Sequence, residues 1–139
     1  MKRIFLDANV IFTAAHNPEG KAALLFELGR KGHWELVTSN LAWEEAHRNL
    51  VLKFPECVSR LKELDQEMQI VTNPGQASCP LELPAKDQPI LQAALQARAT
   101  HLLTGDKVHF GQYMNKPSET LDTVIQTVGD FFKKLIEEE

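Results

Sequence analysis

Four acidic residues stand at positions where their carboxylates could act on a shared ion. Asp7 follows the apolar run IFL near the start of the chain, and Asp106 follows the run LLTG. Glu45 lies in an expected helix, and Asp87 begins an alanine- and leucine-rich one. Carboxylates without a cysteine or histidine cluster suit hard ions such as Mg²⁺ or Mn²⁺. Such an ion polarises a phosphoryl oxygen and lowers the pKa of a bound water, so phosphoester hydrolysis is the chemistry indicated.

Each acid also has a simpler interpretation. Asp7 and Asp106 precede helical turns, where aspartate is a common N-cap. Glu45 could be an ordinary surface glutamate, and its neighbour Glu44 competes with it for any role. Asp87 could interact only with a helix dipole. Two carboxylates at the ends of apolar strands are nevertheless costly to bring together without a cation, which favours the shared site.

Apolar runs alternate with helical segments along the chain. Five runs are predicted to be strands: Arg3–Ala8, Trp34–Thr38, Gln69–Thr72, His101–Thr104 and Val124–Thr127. Helices are predicted at Gly20–Gly32, after Ser39, from Pro55 through Met68, at Asp87–Ala99 and after Asp130, which is expected to cap a closing helix with Phe131, Phe132, Leu135 and Ile136 inward. The segment Asn73–Pro84 reads as a long loop, and Lys107–Pro117 as irregular.

This alternation predicts an α/β fold, a three-layer α/β/α sandwich with a central, mainly parallel sheet of four or five strands. Binding sites in such folds form outside the carboxyl ends of the strands, where Asp7 and Asp106 would lie. A length of 139 residues predicts a single domain over 1–139. Cys57 and Cys79 lack the spacing of a zinc site or a disulfide framework. Asp7 interrupts the N-terminal apolar run, so we expect no membrane span there. We expect a cytoplasmic location.

The chain resembles the PIN domain family, which includes the VapC-type toxin ribonucleases. The segments that carry the resemblance are IFLDANVIF, VTSNLAWEEAHRNL, KDQPILQAALQARATHLLTGDKVHF and TVGDFFKKL, which together span about Lys2 to Leu135. The resemblance implies that an acidic quartet holds Mg²⁺ or Mn²⁺, with polar neighbours that orient the carboxylates and water. The quartet is Asp7, Glu45, Asp87 and Asp106; the neighbours are Asn9 and Thr104, with Ser39 matching the Thr/Ser that usually precedes the second acid.

One position departs from the family pattern. Many relatives carry another aspartate two residues after the Gly-Asp pair, where this chain has Val108. A single firmly held ion, with a second recruited by the substrate phosphate, is therefore expected. The histidines share no metal-ligand spacing and are predicted to be structural or exposed. His109 and Lys107, beside Asp106, are nevertheless candidate substrate-phosphate contacts, and Arg48 a candidate contact along an RNA path that Lys53, Lys2 and Arg3 could extend.

The resemblance implies a metal-dependent ribonuclease that leaves a 5′-phosphate and a 3′-hydroxyl, most simply the toxin of a type II toxin–antitoxin pair. It further implies an RNA substrate, an antitoxin partner and a homodimer. A housekeeping RNA-processing nuclease and an inactive PIN scaffold that binds RNA or protein remain alternatives. A haloacid-dehalogenase-type phosphatase is disfavoured because Asn9 stands where that family has a second aspartate. A dinucleotide-binding fold is disfavoured because no glycine-rich turn follows the first strand.

Overall fold

A parallel five-stranded sheet organises the chain in the computed structural model, which describes residues 1–73 and 79–138. The strand order is β3-β2-β1-β4-β5, and all four pairings are parallel. The strands are β1 Lys2–Leu6, β2 Trp34–Ser39, β3 Met68–Val71, β4 His101–Leu103 and β5 Val124–Gln126. The expectation of an α/β fold with a mainly parallel sheet is confirmed.

Helices connect successive strands, as parallel pairing requires. Their bounds are α1 Ala8–His16, α2 Lys21–Arg30, α3 Asn40–Lys53, α4 Val58–Leu64, α5 Gln88–Gln96, α6 Lys107–Phe110 and α7 Val128–Glu137. Short 3-10 helices lie at Pro55–Cys57, Asp65–Glu67, Gly111–Tyr113 and Pro117–Glu119. Helix α1 packs against α2, α3 and α4, whereas α5 packs against β2 and β4. The connection from β1 to β2 runs towards one edge of the sheet, and the connection from β3 to β4 runs back in the opposite direction, so right-handed crossovers place α5 on the face opposite α1.

The central strand is buried on both of its faces. Ile4, Phe5 and Leu6 of β1 are fully buried, and Phe5 stands between Val37 of β2 and Leu102 of β4 in the register. A continuous apolar run without alternation is typical of such a strand. The core extends from the sheet into fully buried side chains of the helices, including Ile11, Leu25, Leu50, Leu61, Leu91, Phe110 and Phe131. Because β1 is the central strand and ends at Leu6, Asp7 lies at the middle of the carboxyl edge of the sheet.

The predicted helix from Pro55 through Met68 is wrong at its end. Helix α4 stops at Leu64, and after a 3-10 turn Met68 begins β3, where it stands opposite Leu36 in the register. Met68 is 8% exposed, so it belongs to the core in either conformation. Its apolar side chain continued the helical spacing, but pairing with β2 decides its backbone.

Three further predictions are corrected in the carboxyl-terminal third of the chain. Thr127, not Asp130, caps α7: its hydroxyl accepts a hydrogen bond from the Asp130 amide at 3.0 Å. Ile136, predicted to face inward, is 71% exposed. The segment Lys107–Pro117, predicted to be irregular, begins with the one-turn helix α6.

Some predictions fall on residues that are not described. Residues 74–78 of the loop predicted for Asn73–Pro84, and Glu139 at the end of the chain, lie outside the described part. Within the described ranges, no helix combines the length and the apolar character that crossing a membrane would take.

Candidate functional site

The four acids of the predicted quartet line one cavity at the carboxyl edge of the sheet. The cavity has a volume of about 420 Å³, and Asp7, Glu45, Asp87 and Asp106 all contribute to its wall. They come from the end of β1, from α3, from the residue before α5 and from the loop after β4. Residues separated by as much as 99 positions in the chain therefore meet because parallel strands end at the same edge.

Asp7 is both a helix cap and part of the cavity wall. Its Oδ1 accepts a 2.7 Å hydrogen bond from the amide of Ala8 at the start of α1. Its Oδ2 accepts a 2.8 Å hydrogen bond from the hydroxyl of Thr104. The residue is only 5% exposed, so the carboxylate is held in one orientation with little water around it. The capping interpretation and the cavity interpretation of Asp7 are thus both correct descriptions of its position.

Asn9 and Thr104 tie the ends of β1 and β4 together. Oδ1 of Asn9 accepts a 2.7 Å hydrogen bond from the Gly105 amide, and Nδ2 of Asn9 donates to the Thr104 hydroxyl oxygen at 3.3 Å. A Cβ at position 105 would lie 3.3 Å from Oδ1 of Asn9, a close approach that glycine avoids. The Thr104 hydroxyl oxygen also accepts from the amide of Asp106 at 3.1 Å. Both residues therefore act on the orientation of the neighbouring acids, Asp7 and Asp106.

Asp106 caps α6 and holds the side chain of His109. Oδ1 of Asp106 accepts a 3.0 Å hydrogen bond from the His109 amide, and Oδ2 lies 2.7 Å from Nδ1 of the His109 ring. The same ring nitrogen lies 2.9 Å from Oδ2 of Asp87. One ring nitrogen is thus shared between two carboxylates that come from different parts of the chain.

Asp87 carries a buried oxygen without a hydrogen bond. The residue is 7% exposed and stands at the N-cap position of α5, but its side chain makes no capping bond. Among the described residues, its Oδ2 has no partner with hydrogen-bond geometry. A buried acceptor left in this way is costly unless another group, such as a cation, satisfies it.

Burial and the charges of neighbouring acids raise the pKa of two of the four acids. Burial raises the pKa of Asp7 to about 6, against the hydrogen bonds from Thr104 and Ala8, and the charges of Glu45 and Asp87 raise it further. Burial also raises the pKa of Asp87, although His109 and Lys86 oppose the shift. These two acids are therefore the groups that a bound cation would stabilise most in their charged form.

Asp106 is shifted in the opposite direction. Burial acts to raise its pKa, but the hydrogen bonds from the His109 backbone and side chain outweigh burial and lower it. The nearby charge of Lys86 acts in the same direction. Asp106 is thus the acid whose charge is already compensated within the protein.

Glu45 and Glu44 differ in their positions on α3. Glu45 is half-buried and lines the cavity, whereas Glu44 is exposed. Ser39 is fully buried and caps α3, its hydroxyl accepting a 3.2 Å hydrogen bond from the Ala42 amide. Ser39 thereby positions the helix that carries Glu45.

Three cations stand beside the acids at the cavity. Arg48, Lys53 and Lys86 line it and are exposed to solvent. The sequence did not single out Lys86, although its place directly before Asp87 is the signal that could have done so. Lys107 is exposed and lies outside the set of described residues that line the cavity. Arg3, at the opposite end of β1, forms an ion pair with Glu35 at 2.9 Å.

The donor set fits a divalent cation. Four carboxylates line one cavity, and one of them, Asp87, has a buried Oδ2 without a hydrogen bond among the described residues. One oxygen each from Asp87 and Asp106 and one ring nitrogen of His109 lie within 4.8 Å of one another. From the sequence, His109 was predicted only to contact a substrate phosphate, because its approach to Asp87 and Asp106 depends on the conformation of α6.

Comparison with known proteins gives the fold a context. A PIN domain family model matches residues 3–108. The VapBC2 complex of Rickettsia felis, bound to a DNA fragment from its promoter, is similar with a TM-score of 0.63 and 13% identity over 90% of this chain and 98% of that one. Mycobacterium tuberculosis VapC20, a sarcin-ricin loop cleaving toxin, is similar with a TM-score of 0.57 and 12% identity over 79% of this chain and 94% of that one.

The two kinds of similarity support different statements. At 12–13% identity, the structural likeness establishes the fold alone. No curated protein gives a significant match to the chain. The family model covers most of the chain, from Arg3 in β1 through Val108, and includes all four acids of the cavity. The chain therefore belongs to the PIN domain family.

Proposed function

We propose that this chain is a divalent-metal-dependent ribonuclease and the toxin of a type II toxin–antitoxin pair. The observation that carries the proposal is the convergence of Asp7, Glu45, Asp87 and Asp106 on one cavity. Buried carboxylates that raise one another's pKa are unfavourable in a purely structural role. They are favourable where a cation is to be held, which supports the assignment of these residues as ligands of Mg²⁺ or Mn²⁺.

Each protein group has a separate task in this proposal. A divalent ion held by these acids would polarise a phosphoryl oxygen of the RNA and activate a water for hydrolysis of the phosphodiester. Thr104 and Asn9 hold Asp7 in place, and the Thr104 hydroxyl also fixes the backbone at Asp106. Ser39 positions α3 and with it Glu45. Val108 has no ligand atom at the position where many relatives carry an aspartate, which supports one firmly held ion and not two.

The charges around the cavity are compatible with RNA as the substrate. The four acids equal the whole formal net charge of −4, so a bound divalent ion offsets much of the local negative charge. Arg48, Lys53 and Lys86 then provide positive charge for the phosphates that flank the cleaved bond. We expect weak RNA binding that depends on the metal ion and on salt.

The partners follow from the toxin assignment. One similar structure is a VapBC2 complex, and the other is a toxin that cleaves the sarcin-ricin loop. By analogy we propose an antitoxin partner, a homodimer and a cytoplasmic location for this chain. An antitoxin of about 70–90 residues should be encoded beside it, a size at the small end of the domain range. Co-expression followed by size-exclusion chromatography with light scattering tests both the complex and the homodimer.

The central experiment is incubation of the purified chain with total RNA, with and without Mg²⁺ or Mn²⁺. We expect cleavage only with metal, products with 5′-phosphate and 3′-hydroxyl ends, and loss of cleavage in Asp7→Asn and Asp106→Asn. Glu45→Gln and Glu44→Gln form a matched pair, of which only the first should be inactive. RNA binding without cleavage by the wild-type chain would favour an inactive scaffold instead. Cleavage of a structured precursor RNA with no effect on growth would favour an RNA-processing nuclease.

A further inference from the structure

We infer that His109 is a ligand of the metal ion, through Nδ1, so that the site is a mixed nitrogen and oxygen site. The inference rests on the proposed function, because it takes the cavity to hold a divalent ion. It concerns a residue outside the acidic quartet and assigns a metal preference that the quartet alone does not give. One ligand atom from each of Asp87, Asp106 and His109 lies within 4.8 Å of the other two.

The first observation is a mismatch between donors and acceptors at the His109 ring. Nδ1 lies 2.7 Å from Oδ2 of Asp106 and 2.9 Å from Oδ2 of Asp87. A ring nitrogen carries at most one hydrogen, so it cannot satisfy both oxygens with a good hydrogen bond. The bond to Asp106 is formed, and the buried Asp87 oxygen has no partner among the described residues. A divalent ion in contact with the nitrogen and both oxygens removes this mismatch.

The second observation is the spacing of the three atoms. Adjacent ligands around an octahedral ion with bonds of about 2.1 Å lie about 3.0 Å apart. The two nitrogen–oxygen separations, 2.7 and 2.9 Å, are close to this value. All three atoms lie within 4.8 Å of one another, so small movements of these side chains would bring them into contact with one ion. On binding, the hydrogen leaves Nδ1 and the neutral ring carries its hydrogen on Nε2.

The third observation is that the protein holds the ring in place. The His109 amide donates to Oδ1 of Asp106, which caps the single turn of α6. The next residue, Phe110, is fully buried and anchors that turn to the core. The ring is 30% exposed, which leaves Nε2 room for a hydrogen bond to water. The exposed Val108 supplies no ligand, so the additional donor comes from the following residue.

A nitrogen ligand changes which ion the site prefers. Mg²⁺ favours a shell of oxygen atoms, whereas imidazole is a good ligand for transition-metal ions. We therefore expect the site to bind Mn²⁺ more tightly than Mg²⁺, and expect His109 to account for a large part of that difference. Removal of the imidazole should weaken Mn²⁺ binding by about tenfold and Mg²⁺ binding much less.

The test is electron paramagnetic resonance of Mn²⁺ bound to the full chain. In the wild type, the electron spin-echo should show modulation from a directly coordinated ¹⁴N, and the pattern should change when the histidines carry ¹⁵N. In His109→Gln the nitrogen modulation should disappear, and the dissociation constant from a Mn²⁺ titration should rise about tenfold. His47→Gln, at a half-buried histidine stacked on Trp43, is the matched control and should leave both readouts unchanged.

The outcomes separate the inference from the proposed function. Mn²⁺ that binds the wild type without nitrogen modulation overturns the role of His109 but leaves the acidic site standing. Modulation that persists in His109→Gln also overturns it. No Mn²⁺ binding by the wild type overturns the metal site and the inference together. His109→Phe, which keeps a ring of similar shape, replaces His109→Gln if circular dichroism shows that the glutamine variant is unfolded.

Discussion

The hydroxyl of Thr104, at the end of β4, donates a 2.8 Å hydrogen bond to Oδ2 of Asp7, at the end of β1. Both residues are buried, Thr104 completely. The bond joins two segments almost a hundred residues apart and stabilises the charged form of an acid whose burial favours the protonated form. Thr104 therefore lowers the pKa of Asp7 without adding charge to the cavity.

Replacement of this hydroxyl should be costly. We expect Thr104→Val to lower the free energy of unfolding by about 1–3 kcal/mol, because it removes one hydrogen bond from the buried Asp7 carboxylate and leaves the Asp106 amide without its acceptor. It should also raise the pKa of Asp7 further. Chemical denaturation measures the first effect, with Thr104→Ser, which keeps the hydroxyl, as the control. Equal stability of the valine variant and the wild type would contradict the role given to this bond.

The difference in stability between the wild type and Asp7→Asn should depend on pH. The pKa of Asp7 is about 6 in the fold, above its ordinary value of 3.8, so the folded protein holds the proton more tightly. The stability from this group is complete below about pH 4 and is lost as pH rises through 6. For the metal-free protein, the difference in unfolding free energy between wild type and Asp7→Asn should fall over this range by up to about 3 kcal/mol. A difference that does not vary with pH would show that burial of the charge is not costly.

His101 should act on stability in the opposite direction. Burial, with help from Lys2 and against Glu138, lowers its pKa to about 4 from the ordinary histidine value of 6.5. The unfolded chain therefore takes up the proton first, and stability from this group is present above about pH 6.5 and lost as pH falls towards 4. His101→Gln should flatten the acid side of the stability curve, measured by denaturation at several pH values. His33→Gln, at an exposed histidine, is the control and should not change the curve.

Lys86 should contribute to RNA affinity. It lines the cavity and its charge lowers the pKa of Asp106 and opposes the rise for Asp87. In an Asp7→Asn background, where we expect no cleavage of RNA, Lys86→Gln should weaken binding of single-stranded RNA several-fold. The slope of log affinity against log salt should fall by about 0.7, the value for one phosphate contact on a single strand. Lys133→Gln on α7 is the control, and an equal loss there would point to a general charge effect.

The fold was predictable because its signals are local and repeated. Short apolar runs alternate with helical spacing, and the resulting parallel sheet brings Asp7 and Asp106 to one edge. The errors fall where a local pattern has two solutions. Met68 fits the spacing of α4, but the extended backbone that pairs with β2 decides its conformation. Both Thr127 and Asp130 are good N-cap types, and only the backbone geometry selects Thr127.

The site was predictable in its acids but not in its histidine. Asp7, Asp87 and Asp106 each adjoin an element that the sequence indicates, and Glu45 lies within one, so the order of these elements brings them to one cavity. The role inferred for His109 depends on α6, a single turn whose start is defined by the side chain of Asp106. A turn of four residues has too few positions for a periodic pattern. Lys86 likewise reaches the cavity from a loop, where spacing carries no directional information.

The strand order has a consequence for how this chain can change. The outer strands, β3 and β5, stand at the two edges of the sheet, whereas Asp7 and Asp106 adjoin the central strand and one of its neighbours. Insertions or replacements along the margins of the sheet can therefore alter the outline of the molecule while Asp7 and Asp106 keep their spacing. New binding partners can be acquired at these margins without rebuilding the chemistry at the centre.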